Sequence, residues 1–340
     1  MRIENDIKLD FDDVLLCPRR SEVGSRSQVD ITRKFTTLYS KQEWKGTPII
    51  AANLDTTGSF AMVEALHKFK MLTCLHKFYT EKQLVDFFNN SPASDSAFYT
   101  LGVTDKDINK LTTVLKYTNK ITKITVDIAN GYSKFFSEKV RQIRELCPNM
   151  MLFAGNVCTP ELIQELVITG HADVVKVGIG PGAFCETRTV TGVGFPQWSA
   201  IVSCADAAHG LNAMICSDGG CRSSGDVSKS LAGGADFCML GNLFSGTDPC
   251  EGEWEYEAGL RKSLKVYGMS SRESMEKYSG GVADYRASEG SCMQVPYKGP
   301  VEGVVQQLLG GLRSACAYSG ATRLKDLSKC ALFIKVNRVK

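Results

Sequence analysis

The stretch GIGPGAFCETRTVTG (178–192) sets three glycines and a proline just ahead of Cys185, with Thr187 and Arg188 beside it. Glycine and proline at that density force a tight backbone whose carbonyls and amides are free to face a ligand. Thiolate is the nucleophilic form of cysteine and a neighbouring positive charge favours it, so Arg188 is expected to lower the Cys185 pKa. A lone cysteine on a glycine-rich turn is more often simple packing, but the position of this one, at the end of a predicted strand, favours a nucleophile. Two further segments suggest phosphate. In SDGGC (217–221) and LGN (240–242) the glycines Gly219, Gly220 and Gly241 let main-chain amides approach an anion, while the Asp218 carboxylate suits a ribose diol. A phosphorylated substrate and FMN fit these residues equally well. Lys77, closing the run MLTCLHKF, reads as a functional strand-end lysine rather than a snorkelling one.

Something must hold these residues together. Short β-branched runs begin at residues 48, 71, 97, 123, 151, 173, 212 and 236, and stretches of helical period lie between them, such as 133–146 and 160–170. Eight strands, each followed by a helix-length connection, predict a single (β/α)8 TIM barrel spanning 1–340 with an N-terminal extension of about 47 residues. A dinucleotide-binding open sheet is excluded because no G-x-G-x-x-G follows the first strand. Polar residues and glycines gather at the strand ends: Asn53, Asp55, Lys77, Thr104, Asp127, Asn130, Asn156, Gly180, Gly182, Asp218, Gly241 and Asn242. That is the face on which such barrels build their sites. Residues 245–299, rich in Gly, Ser, Tyr and charge, read as a mobile lid inserted between strand 8 and helix 8.

Composition removes other classes. With 43% apolar and 23% charged residues the chain is an ordinary globular protein, and a net charge of +3 argues for neither nucleic acid nor a membrane surface. No apolar run reaches the roughly 18 residues of a membrane helix, and neither end carries an export or lipidation signal, so the expected address is cytoplasmic. Thirteen scattered cysteines without a C-x-x-C pair read as reduced packing residues, and four histidines without ligand spacing exclude a zinc centre.

The motifs GIGPGAFC-x-TR, TGVGFPQ, SDGG, YGMSS, YRASEG and VPYKGPVEGVVQQLLGGLRS occur in this order. Together they resemble the IMP dehydrogenase and GMP reductase family over about residues 5–320. Within that family the wording of YGMSS and YRASEG is that of the reductases. YRASEG (285–290) is followed almost at once by VPYKGP (295–300), too soon for the long flap of a dehydrogenase, and about 20 residues between strands two and three leave no room for a regulatory insertion domain. The resemblance thus implies NADPH-dependent reductive deamination of GMP to IMP and ammonia through a Cys185 thioimidate, with Thr187 and Glu289 relaying the proton. It implies substrate contacts at Asp218, Gly219, Gly220, Gly241, Asn242, Gly268, Met269, Ser270, Arg286, Ala287, Ser288 and Gly290. It implies cofactor contacts at Lys77, Asp127, Ile128, Ala129, Ile179, Gly180, Tyr285, Arg286, Ser314, Ala315, Cys316 and Ala317. Ser25 and Arg26 would reach the cofactor of a neighbouring subunit in a homotetramer. A potassium ion (K+) would meet the carbonyls of Gly180, Gly182 and Arg188, a hard cation on oxygen ligands.

Two positions depart from the family wording. Leu54 stands where methionine is usual, a near-isosteric change, and Glu186 stands where a neutral residue is common, so its carboxylate is expected either to raise the Cys185 pKa or to pair with Arg188. The alternatives are a minimal IMP dehydrogenase, a yellow FMN-dependent barrel oxidoreductase, and a nucleotide-binding regulator without turnover. The last requires loss of Cys185, Thr187 or Glu289, and all three are present.

Overall fold

The eight apolar runs close into one parallel barrel. In the computed structural model, which describes residues 3–337, its strands are β1 (Ile49–Ala51), β2 (Leu72–Cys74), β3 (Ala97–Leu101), β4 (Lys123–Asp127), β5 (Met151–Val157), β6 (Val174–Val177), β7 (Met214–Asp218) and β8 (Phe237–Leu240). Each pairs in parallel with the next, and β8 pairs back onto β1, with Met239 opposite Ile50. The outer helices are α1 (Phe60–His67), α2 (Glu81–Asn90), α3 (Asp105–Leu115), α4 (Phe136–Leu146), α5 (Pro160–Ile168), α6 (Gln197–Gly210), α7 (Ser224–Ala232) and α8 (Val301–Ser319). The architecture is the expected (β/α)8 barrel.

Local chemistry starts the helices where they start. Thr80 and Gln83 form a reciprocal capping box ahead of α2, Thr104 and Asp107 do the same for α3, and Pro160 occupies the first turn of α5. The strands are shorter than the apolar runs suggest. Ladder pairing stops where neighbouring chains diverge into loops, so Asn53, Lys77 and Gly180 lie beyond the last paired residues.

Alternation along the strands makes two cores. Ile50, Leu72, Cys74, Phe98, Phe153, Cys216, Phe237 and Met239 fill the barrel interior, while Ile49, Ala51, Tyr99, Leu101, Ile124 and Val126 face the helices. An N-terminal hairpin, Arg33–Thr36 with Glu43–Gly46, plugs the far end, with the Phe35 and Trp44 rings 4.8 and 5.3 Å from Phe237.

The stretch between β8 and α8 is largely folded. Trp254–Glu257, Leu260–Tyr267 and Cys292–Pro296 form an antiparallel sheet, joined by a helix over Arg272–Ser279. Leu264, Val266 and Val295 are its buried face, a short alternation hidden from composition by the glycines and serines around it. The base is closed by Asp248 N–H donating to the Gly299 carbonyl at 3.0 Å.

Candidate active site

Cys185 is exposed on the loop after β6, whereas nine of the other cysteines are buried and all thirteen are free thiols. The loop owes its path to close approaches that only glycine allows. A Cβ on Gly178, at φ +151°, would lie 2.1 Å from the Asp218 carbonyl oxygen, and one on Gly180, at φ +89°, would lie 2.5 Å from Arg188 Cγ. Beneath it the buried Gln197 side chain donates to the Val177 carbonyl at 2.9 Å.

Residues 289–291 lie against this loop. Glu186 N–H donates to the Glu289 carbonyl at 2.7 Å, Ser291 N–H to Phe184 at 3.0 Å, and Cys185 pairs antiparallel with Gly290. The second flank is held by Glu289 N–H donating to the Ser270 carbonyl at 3.0 Å. Three side chains thereby fall into line. The Cys185 thiol donates to Thr187 Oγ1 at 3.3 Å, and Thr187 donates to Glu289 Oε2 at 2.8 Å. A nucleophile, a hydroxyl able to accept and donate, and a carboxylate form a route for moving a proton.

A second constellation fills the mouth of the barrel. Lys176, fully buried on β6, makes ion pairs with Asp127 at the end of β4 and with Asp218 at the end of β7, the latter at 3.1 Å. Asn53 donates to Asp127 at 2.8 Å, and Asn156 donates to Asp218 at 3.0 Å. Burial alone would pull the Lys176 ammonium down, but the two carboxylates outweigh it and raise its pKa. For Asp127 burial pushes the carboxyl up, and the Lys176 charge with the Lys176 and Asn53 hydrogen bonds holds it below its ordinary value. Asn156 Oδ1 is buried without a partner.

Arg188 is held by the N-terminal extension and by its own loop. Its guanidinium is bound by Asp10 at 2.9 Å and by the Phe195 carbonyl, and the Arg188 ion pair is with Asp10 rather than Glu186. Asp10, out on the N-terminal extension, offered no signal in the sequence. Lys176 left a faint one, a lysine inside the buried run VVKV.

A model of the IMP dehydrogenase / GMP reductase domain matches residues 8–339. The chain belongs to that family. It is 50% identical to a GMP reductase of Aeromonas salmonicida, the match covering 99% of this chain and 97% of the relative. It is 49% identical to one of Escherichia coli, with the same coverage, and 48% identical to one of Phytophthora infestans, covering 99% and 93%.

Set against the family's expected contacts, Asp218, Gly219 and Gly220 end β7, Gly241 and Asn242 end β8, and Gly268, Met269 and Ser270 lie beside Glu289 and Gly290. Tyr285, Arg286 and Ala287 are exposed and Ser288 half-buried. Lys77 is exposed at the end of β2, with Ile128 and Ala129 at the end of β4 and Ile179 after β6. Ser25 and Arg26 belong to a different place, an exposed turn near α8, the helix that carries Ser314, Ala315, Cys316 and Ala317. Cys316 has its side chain in the core, so only its neighbours present side-chain surface there. The Gly182 carbonyl accepts from Cys185 N–H at 3.1 Å and that of Arg188 from Gly192 N–H at 3.2 Å. Each keeps a second lone pair. Among the described residues there is no cluster of three or more His, Cys, Asp or Glu side chains that could hold a metal.

Proposed function

We propose that this chain is a GMP reductase, converting GMP to IMP and ammonia with NADPH. The reading is carried by the hydrogen-bonded line Cys185–Thr187–Glu289, in a chain that matches GMP reductases at about half its positions from end to end. The Cys185 thiolate attacks C2 of the guanine ring, the C–S bond forms, and the C2 amino group departs as ammonia, leaving a thioimidate. Direct displacement of an amino group by hydride has a poor leaving group, and the covalent route divides that barrier. Glu289 and Thr187 hold and pass the proton that the leaving nitrogen takes up. The cofactor, when bound, supplies hydride to C2. Cys185 then leaves as thiolate and IMP is released.

Asp218 would hold the ribose diol, and the amides around Gly219, Gly220, Gly241 and Gly268–Ser270 the phosphate, with Arg286–Ser288 and Gly290 closing over the base. Lys77, Asp127–Ala129, Ile179, Gly180, Tyr285 and Arg286 would meet NADPH. Ser314–Ala317 would also meet the cofactor, and Ser25 and Arg26 would reach that of a neighbouring subunit in a homotetramer. The carbonyls of Gly180, Gly182 and Arg188 would hold potassium. A cytoplasmic address is supported by thirteen thiols without a disulfide; no described helix is long and apolar enough to cross a membrane.

The test is absorbance at 340 nm with GMP, NADPH and potassium. A GMP-dependent fall with one ammonia released per NADPH is expected, and Cys185→Ala should abolish it while still binding GMP, with Cys221→Ala as an active control. A rise at 340 nm with IMP and NAD would overturn the reading in favour of a dehydrogenase.

A further inference from the structure

Asp55 lies just past the end of β1 and its side chain is buried, yet nothing in the reaction just described uses it. One of its oxygens collects three donors from the folded stretch between β8 and α8. Asp55 Oδ2 accepts from Tyr267 at 2.6 Å, Tyr278 at 2.8 Å and Lys277 at 3.1 Å. Its other oxygen is buried with no partner. Tyr278 also stacks on Phe78, next to Lys77, with ring centroids 3.4 Å apart.

These donors bracket the segment that supports Glu289. Tyr267 immediately precedes Gly268, and Lys277 and Tyr278 close the helix that begins after Ser271. Between them, Ser270 accepts from Glu289 N–H, Ser271 pairs with Gly290, and Arg272 N–H donates to Ser288 Oγ at 3.1 Å. The strand before this turn and the helix after it are thus fixed to one carboxylate on the rigid barrel, and the turn in turn fixes Glu289 against Thr187. We infer that Asp55 is a positioning residue for the reaction: it ties Tyr267, Lys277 and Tyr278 to the barrel rim and so sets the Glu289–Thr187 hydrogen bond. A displacement of about 1 Å at a catalytic group can cost on the order of 100-fold in rate, so an anchor this local acts on turnover more than on folding.

This inference rests on the reading of Glu289 as a proton-relay residue, and a double-mutant cycle separates the two. Asp55→Asn keeps the shape and removes the charge that gathers the donors. It is expected to lower kcat about tenfold or more, within the range that general acid–base catalysis contributes. The GMP protection of Cys185 against alkylation should stay as in the parent enzyme. In a Glu289→Gln background the same change should cost less than about twofold, because the group it positions has already lost its function. A merely structural Asp55 would cost the same factor in both backgrounds, which overturns the inference, as would an unchanged kcat in the single variant. If Glu289→Gln kept full turnover, the relay reading would fall and the inference with it. Should Asp55→Asn fail to fold, Tyr278→Phe and Lys277→Met, at less buried positions, carry the same cycle with the same expected and overturning results.

Discussion

Lys176 is the charge on which the barrel mouth depends. Its ammonium stands between two carboxylates that would otherwise face each other in a poorly solvated space. Removing one partner of a buried charged pair costs about 3–5 kcal/mol, because the other charge is left uncompensated. In Lys176→Met the Asp127 carboxyl, which this ammonium holds down in the parent, should therefore rise in pKa. A carboxyl whose pKa is raised on folding binds more protons in the folded state, so stability falls as pH rises through that range. The variant's melting temperature should drop between pH 5 and pH 8, and its GMP affinity should be worse at pH 8 than at pH 6. A variant with the parental pH profile for both would show that Lys176 does not hold Asp127 charged. The carboxylates themselves were legible as strand-end residues. The lysine was legible only faintly, because inside an apolar run a single polar residue gives no sign of which way it points.

Strand ends were the legible part of the elements, and the loops beyond them were not. Period and composition placed all eight strands and the helices between them, since each apolar run must be buried on both faces of a parallel barrel. What pattern could not supply was the pairing of distant loops, such as residues 288–291 laid between the Cys185 loop and the turn at Ser270, or the sheet folded from residues 254–296. The loop after β2 shows the same limit. His76, read only as a histidine without metal spacing, is buried and stacked on Tyr79 with centroids 3.9 Å apart, and its Nδ1 accepts from Phe78 N–H at 3.2 Å. Burial, followed by Lys277 and Lys110 against an opposing Asp55, pushes its pKa down to about 4. A histidine depressed on folding binds fewer protons folded than unfolded, so stability is lost as pH falls below the ordinary value toward 4. Comparing denaturant unfolding at pH 6.5 and 4.5, the parent should lose about 2 kcal/mol more than His76→Asn, which keeps an acceptor for Phe78. Equal losses would mean that His76 is protonated in the folded chain at the lower pH.

Across the whole molecule the two ends of the barrel carry different burdens. The mouth holds an exposed thiol, an unpartnered buried acceptor and shared counter-ions, an arrangement that favours binding over stability. The opposite end carries a paired charge. There Asp173, at 0% exposure, accepts from Tyr39 N–H at 2.8 Å, Ser40 Oγ at 2.9 Å, Leu152 N–H at 3.0 Å and Arg144 Nη2 at 2.6 Å. One carboxylate thus joins the N-terminal extension, α4, β5 and the start of β6. Barrels of this kind place chemistry at the strand C-termini and stability at the N-terminal face. Asp173→Ala leaves the Arg144 guanidinium without its counter-ion and the backbone amides of Tyr39, Ser40 and Leu152 without their acceptor, so it should cost about 3–5 kcal/mol. The loss should appear as a lower denaturation midpoint, while turnover per folded molecule at 25 °C stays within about twofold because no contact to the mouth is broken. Cys185→Ala should do the reverse, removing turnover at an unchanged midpoint. If Asp173→Ala instead suppressed turnover in molecules that remained folded, the two ends would be coupled through the strands, and the separation of stability from chemistry would not hold for this barrel.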